Sequence, residues 1–328
     1  MRSELIRCGP PEMTCQPTYQ PSWKERAALS LARAVGPYWH GYEAVFDMRQ
    51  FPFYATPRHY WELPKRPPRR IVCSHLDYNR EFRYWVADCV ERGSELHIVQ
   101  HGGGFGSMAE MGLEEHYMSI CDVFHSWGWI GPKVEPGSSW WLRRLKQRVR
   151  HNPGGYIYWV LTAVPKQPYR KLSMPQGEAF QDYLEDQFRL AALLSPELRR
   201  QIVLRLYPED YGWNMEQQFR QRFPDIAIEK PGVPIAKGLS GARLVIVTAN
   251  LTTLLETLAC NIPTVAFWNP KQWLLRESAR RYYDALRGVV ILNDSPEQAA
   301  ERLRNPAPWY DFILQSARRD FCREFAGT

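Results

Sequence analysis

From residue 70 onward the chain repeats one pattern: a short run rich in β-branched and aromatic residues, a turn, then a longer segment with apolar residues at helical spacing. "RIVCSHL" (70–76) reads as a strand, and "NREFRYWVADCVERG" (79–93) reads as an amphipathic helix ended by Gly93. "ELHIVQ" (95–100) is the next strand; a glycine loop, a short helical stretch through His116 and a strand at 122–129 follow. Pro and Gly then concentrate in "GPKVEPGSS" (131–139), which reads as a break. Beyond it, strands are expected at 156–163, 201–206, 243–248, 263–268 and 288–292, with a weaker one at 226–229. Helices are expected at 177–194, 213–222, 251–260, 272–286, 295–303 and 308–323. Strands alternating with helices imply parallel sheets covered on both faces. The economical reading is two βα domains joined near residues 131–153, preceded by an irregular, Pro-rich lead that "KRPPRR" (65–70) closes. In such sheets ligands sit beyond the carboxyl ends of the strands, so chemistry belongs in the strand-to-helix loops.

Composition narrows the classes. Of 328 residues, 45% are hydrophobic and 23% charged, as in a folded globular chain. No apolar run approaches the roughly 20 residues that span a bilayer; "YIYWVLTAV" (156–164) stops at Pro165 and reads as a buried strand. The N-terminus lacks the apolar core of a secretory signal, which predicts a cytoplasmic protein. Seven cysteines without a CxxC pair predict reduced thiols, no disulfide framework and no zinc site. A net charge of +7 suits anionic partners: nucleotide phosphates, an acidic glycan or an anionic membrane face. The basic run "RRLKQRVRH" (143–151) reads either as a solvated interdomain helix or as a patch for the inner membrane face. No nucleic-acid-binding pattern accompanies the charge, so nucleic acid is not expected as a partner.

Three strand ends carry candidate chemistry. In "VQHGGGFGSMAE" (99–110), Gly102, Gly103 and Gly104 strip side chains from the approach, so backbone amides can close on a ligand. Gln100 and His101 precede them and are expected to point into the same cleft. The loop has neither a Walker GK[ST] nor the GxGxxG spacing, and a plain tight turn explains glycines equally well. Downstream, Glu114, Glu115, His116, Asp122 and His125 offer carboxylates and imidazoles for general-base work; a solvated helix face and a core histidine are the bland alternatives. In "IVLRLYPED" (202–210), Arg205 sits in an apolar strand and needs an anion, either a phosphate or a structural carboxylate such as Asp210. In "VIVTANLTTLLETLAC" (245–260), Asn250 is the expected N-cap of a helix. Thr252 and Thr253 then fall in its first turn, where free amides favour phosphate, and Glu256 lies one turn on, on the same face, placed for ribose hydroxyls.

Taken together, "QHGGGFG…EEH…DVFHSWGW", "YWVLTAVPKQPYRKLSMP", "LRLYPEDYGW" and "TTLLETLACNIPTVAFWNP…WLLRESARRYYDALRGVVILNDSPEQAA" resemble a family of bacterial surface-polysaccharide transferases, encoded among O-antigen or capsule genes, across residues 70–305. The resemblance implies the GT-B glycosyltransferase architecture: an α/β fold of two Rossmann-like domains, with parallel sheets facing a central cleft and no metal or other cofactor. It implies an acceptor domain at 70–140, shorter than in other members, after a lead at 1–69. A nucleotide-sugar donor domain follows at 141–305, and a C-terminal helix (306–328) packs back on the first domain. Arg205, Thr252, Thr253 and Glu256 match its donor blocks, Trp268 and Asn269 its "FWNP" block, and Gln100, His101 and Gly102 to Gly104 its cleft-facing block. Glu115 and His116 match the block expected to include the catalytic base, with His101 as a further candidate. The implied reaction moves a sugar from a nucleotide-activated donor to a glycan or lipid-linked glycan, with the two domains closing over the donor. A nucleotide-sugar epimerase, a non-catalytic partner in a polysaccharide assembly complex and a polyol-phosphate transferase are the competing readings.

Overall fold

The computed structural model describes residues 66–77, 80–167 and 171–328. The Pro-rich lead, with two of the seven cysteines, lies outside the described residues apart from its last four positions. The chain divides into two compact units, one ending at His97 and the other running from Ile98 to Thr328.

The described part of the first unit holds β1 (Arg70–Cys73), α1 (Arg80–Glu91) and the beginning of β2 (Glu95–Val99). The α1 helix buries Val86 and Cys89, and Gly93, with φ +97, ends it as the sequence suggests.

In the second unit, β3 (Val123–Ser126) is followed by β4 (Val134–Pro136), parallel to it, with Phe124 beside Val134 and Ser126 beside Pro136. The break expected at 131–139 therefore contains a strand. A three-residue strand can end on Pro136 because its last N–H is not needed by the ladder. Before β3 stands α2 (Gly112–Ile120), and after β4 comes α3 (Trp140–Arg148), capped by Ser139, whose hydroxyl accepts from Leu142 N–H. Leu142 and Leu145 of α3 are buried, and its arginines point outward.

The larger sheet has six parallel strands in the order β10-β9-β8-β5-β6-β7. These are β5 (Tyr156–Val160), β6 (Ile202–Arg205), β7 (Ala227–Ile228), β8 (Ala242–Val247), β9 (Thr264–Phe267) and β10 (Leu292–Asn293). Interior strand β9 is buried at every position, as near-continuous apolar runs require when helices cover both faces. The helices are α4 (Ala179–Leu193), α5 (Pro196–Arg199), α6 (Met215–Arg222), α7 (Ile235–Gly241), α8 (Thr252–Ala259), α9 (Glu277–Gly288), α10 (Pro296–Arg304) and α11 (Phe312–Phe325). Two of them, α5 with four residues and α7 with seven, have no counterpart in the sequence reading, being shorter than the window over which helical periodicity is read. The α11 helix packs on α8 and α9, and its last turn meets the Gly128 backbone so closely that a side chain there would strike the Arg323 carbonyl. Among the described residues no helix is long and apolar enough to cross a membrane.

Candidate functional site

The run that raised the phosphate expectation forms the end of β8, a tight turn and α8. Asn250 does not cap α8: Leu251 occupies the cap position and contributes no side-chain bond. Asn250 is buried and spent elsewhere. It accepts from the Tyr283 hydroxyl at 2.5 Å and donates to Ser107 Oγ at 3.2 Å. Its side-chain bonds run to Tyr283 and Ser107 and not to the amides of α8. Thr252 and Thr253 are the first two residues of α8, half-buried, at the positive end of the helix.

The glycine loop closes directly on that end. Gly103 N–H donates to Thr252 Oγ1 at 2.9 Å. A Cβ at Gly103 would overlap the Leu251 carbonyl carbon and lie 2.5 Å from Thr252 N, so only glycine fits there. Gly104, at φ +90, turns the chain away again. Beyond it the loop is fastened to the irregular segments that precede α4 and α9. Met108 bridges Leu275, Met111 bridges Leu172, and Arg276 N–H donates to the Ser107 carbonyl at 2.9 Å. These backbone contacts tie residues 107–111 to the segments at 172 and 275–276, while the Gly103–Thr252 bond joins the glycine loop to α8.

Gln100 is buried and does not point into a cleft. Its Oε1 accepts from Trp127 N–H and Trp129 Nε1–H, both at 2.9 Å, and its Nε2 donates to the Gly102 carbonyl at 2.8 Å. With Oε1 taken twice and one of the two Nε2 protons given to Gly102, this buried amide shapes the loop. His101 is half-buried, edge-on to Phe105 and Tyr117 with centroids 5.3 and 6.2 Å away.

On α2 the two adjacent glutamates part company. Glu114 is buried, accepts Gly106 N–H at 2.6 Å and pairs with Arg276 at 2.5 Å. Glu115 and His116 are exposed. His125 is half-buried on β3, 3.5 Å from Glu135 on β4. Thus Glu115, His116 and His101 share the α2 region, while Arg205, Thr252 and Glu256 share the large sheet's strand ends.

Arg205 ends β6 and finds its carboxylate in Glu229, at 2.6 Å, beyond the short β7. The same Nη1 bonds the Tyr158 hydroxyl at 3.1 Å and the Val233 carbonyl at 2.9 Å. Burial pushes the Tyr158 hydroxyl up, keeping it a neutral donor to Glu229 at 2.8 Å. Asp210, the partner considered from sequence, accepts instead from the N–H groups of Asn214 and Met215. A cavity of about 140 Å³ opens beside this network, lined by Arg205, Tyr207, Asp210, Glu229 and Lys230 among others.

Glu256 lies one turn into α8, nearly fully buried, and accepts from Trp141 Nε1–H at 2.7 Å. Burial raises its carboxyl above the usual range, while the Trp141 hydrogen bond and the charge of Arg205 pull it back. Trp268 is buried against Trp273 and Tyr283, and Asn269 Oδ1 accepts Lys271 N–H at 3.0 Å in the turn after β9. Among the described residues no group of three or more His, Cys, Asp and Glu is arranged to hold a metal ion.

Sequence reasoning missed Trp141, Glu229, Ser107 and Arg276. For Glu229 a signal existed: a carboxylate at the carboxyl end of a weak strand. Trp141 gave none, because an indole in a basic helix is indistinguishable from packing until its partner is known.

None of the curated proteins matches the chain in sequence. Among solved structures it is similar to the spinosyn rhamnosyltransferase SpnG complexed with spinosyn aglycone, at 13% identity and TM-score 0.45, covering 92% of this chain and 76% of that one. It is also similar to WaaG, a glycosyltransferase involved in lipopolysaccharide biosynthesis, at 12% identity and TM-score 0.36, covering 85% and 77%. A third similar structure is MurG from Acinetobacter baumannii, at 12% identity and TM-score 0.38, covering 74% and 67%. These likenesses are too distant to carry an argument about activity. The model of the LIC12162 family transferases, by contrast, matches residues 41–328, nearly the whole chain, and the protein belongs to that family.

Proposed function

We propose that this transferase is a metal-independent glycosyltransferase of GT-B type, moving a sugar from a nucleotide-activated donor to a surface glycan or lipid-linked glycan. The observation that carries the reading is the closure of the glycine loop on the α8 mouth, where the Gly103 amide meets Thr252 Oγ1. Two strand-end loops converge there on a helix N-terminus, an arrangement suited to phosphate oxygens. Thr252 Oγ1 accepts from Gly103 and keeps its own proton to donate. Among the described residues Arg205 makes its hydrogen bonds through Nη1, which leaves Nη2 for a phosphate.

In this reading Thr252, Thr253 and Arg205 stabilise the negative charge that builds on the departing nucleotide. Trp268 and Asn269 flank the donor from the turn after β9. On the acceptor side a base removes the hydroxyl proton as oxygen attacks the anomeric carbon, and exposed Glu115 is the first candidate, with His116 and His101 behind it. Gln100 and Glu114 serve as supports for the loop. The protein works at the cytoplasmic face of a membrane. Exposed Arg143, Arg144 and Arg148 on α3 attract anionic headgroups beside Trp140, which is 68% exposed. Vesicle co-sedimentation that is equal for neutral and anionic lipid would remove that last element.

A thermal-shift screen against CMP, UDP, GDP, TDP and ADP, with and without EDTA, tests the core of the proposal. A chelator-insensitive rise with one nucleotide is expected. No rise with any of them would sink the donor-site reading.

A further inference from the structure

The hydrogen bond between Trp141 and Glu256 joins residues 115 positions apart. Trp141 stands in the first turn of α3 and Glu256 one turn into α8, two helices that pack together. An indole N–H only donates, so it can have no other purpose toward a carboxylate than to fix one oxygen. It fixes Oε1, and among the described residues no hydrogen bond reaches Oε2. Trp141 keeps 38% of its surface exposed, so its ring is not simply core packing, whereas Glu256 keeps only 6%. Burying a carboxylate with a single hydrogen bond is costly unless its remaining lone pairs find donors.

Resting on the donor-site reading above, we propose that Trp141 is a positioning residue for that site: it holds Glu256 so that Oε2 accepts from the vicinal hydroxyls of a ribose, making the protein select ribonucleotides over their 2′-deoxy counterparts. The geometry suits this assignment. Glu256 follows Thr252 by one turn on the same face of α8, so a nucleotide whose phosphates meet the helix mouth has its sugar near Glu256. Arg205 supplies a positive charge close enough to favour the ionised carboxylate.

The groups around Glu256 also fix the sign of a pH effect. Trp141 and Lys146 face this region from α3, Arg205 from β6, Arg318 and Cys322 from α11, and Cys260 from its own helix. Removing the Trp141 donor takes away an interaction that stabilises the ionised form. Binding that needs the ionised carboxylate is lost as pH falls, and in the variant it is lost at a higher pH.

Isothermal titration of the full chain and of Trp141→Phe against CMP, UDP, GDP and ADP, each paired with its 2′-deoxy form, across a range of pH, decides the matter. The expected result is a preference of the parent protein for one ribonucleotide of about tenfold, the worth of a hydrogen bond to a charged group. In Trp141→Phe most of that preference disappears, deoxynucleotide affinity hardly changes, and the pH midpoint of binding rises. A Phe variant with the parent preference and midpoint overturns the inference alone. So does a parent protein that binds nucleotide without regard to the 2′-hydroxyl. A parent protein that binds none of the eight overturns the donor-site reading and this inference with it. If the Phe variant does not fold, Trp141→Gln, which restores an N–H donor, takes its place; retained preference supports the assignment and lost preference overturns it.

Discussion

Glu114 and Glu115 are neighbours on one helix and live in opposite surroundings. Glu114 is buried, closes an ion pair with Arg276 and receives the Gly106 amide; Glu115 stands in solvent. Glu256 and Glu229 belong with Glu114: each is sheltered and already holds protein donors. The difference separates two kinds of carboxylate that a sequence presents alike. Glu114, Glu229 and Glu256 are sheltered with partners, and Glu115, the base proposed above, is exposed. The molecule thus has a stitched side, from the glycine loop to α8 and β6, and an open side on the outer face of α2.

The largest effect that can test this contrast is chemical. Glu115→Gln should lower turnover by about 10²–10⁴-fold, the usual worth of a general base, and leave nucleotide affinity unchanged. Steady-state rates together with a binding isotherm check it; near-normal turnover would move the base to His101 or His116. Next comes stability. Glu114→Ala leaves Arg276 and the Gly106 amide without their acceptor and should cost about 3–5 kcal/mol, a fall in Tm on the order of 10 °C. Glu115→Ala should stay within about 0.5 kcal/mol of the parent, as surface changes do. Equal losses in thermal melts of the two variants would erase the distinction drawn between the helix's two glutamates.

The smallest effect concerns Glu256. Its carboxyl is raised in the folded state, by burial above all. Its contribution to stability is therefore fully present below the unfolded-state value and is lost as pH rises through the folded one. Glu256→Gln should raise Tm by a few degrees at neutral pH, and the gain should fade in acid, where the parent carboxyl is protonated as well. Melts at the two pH values giving the same gain would show that charge is not the cause.

Much of the fold was legible because buried parallel strands write themselves as short apolar runs. "YIYWV", "IVLR", "ARLVIV" and "TVAF" fell where they were expected, as did the helices between them. The pieces that escaped are those too short for a period to be read: β4, ending on Pro136, and the short helices α5 and α7. For the site, the sequence pointed to the glycine loop and the α8 mouth as strand-end features, and the two meet through Gly103 N–H and Thr252 Oγ1. It misjudged Asn250 and Gln100, and it missed Trp141, for one physical reason. Local pattern says where a polar side chain starts but not which distant donor or acceptor claims it. Asn250 belongs to Tyr283 and Ser107, Gln100 to Trp127 and Trp129, Arg205 to Glu229, and each partner arrives from another loop.

The central claim is that a nucleotide's phosphates sit where the glycine loop meets α8. Titrating the nucleotide found by thermal shift into the parent protein and into Thr252→Val tests it most directly, since valine keeps the shape and removes both the acceptor for Gly103 and the hydroxyl proton. The account predicts a folded variant that binds about tenfold more weakly. A Thr252→Val protein that binds as tightly as the parent would contradict it.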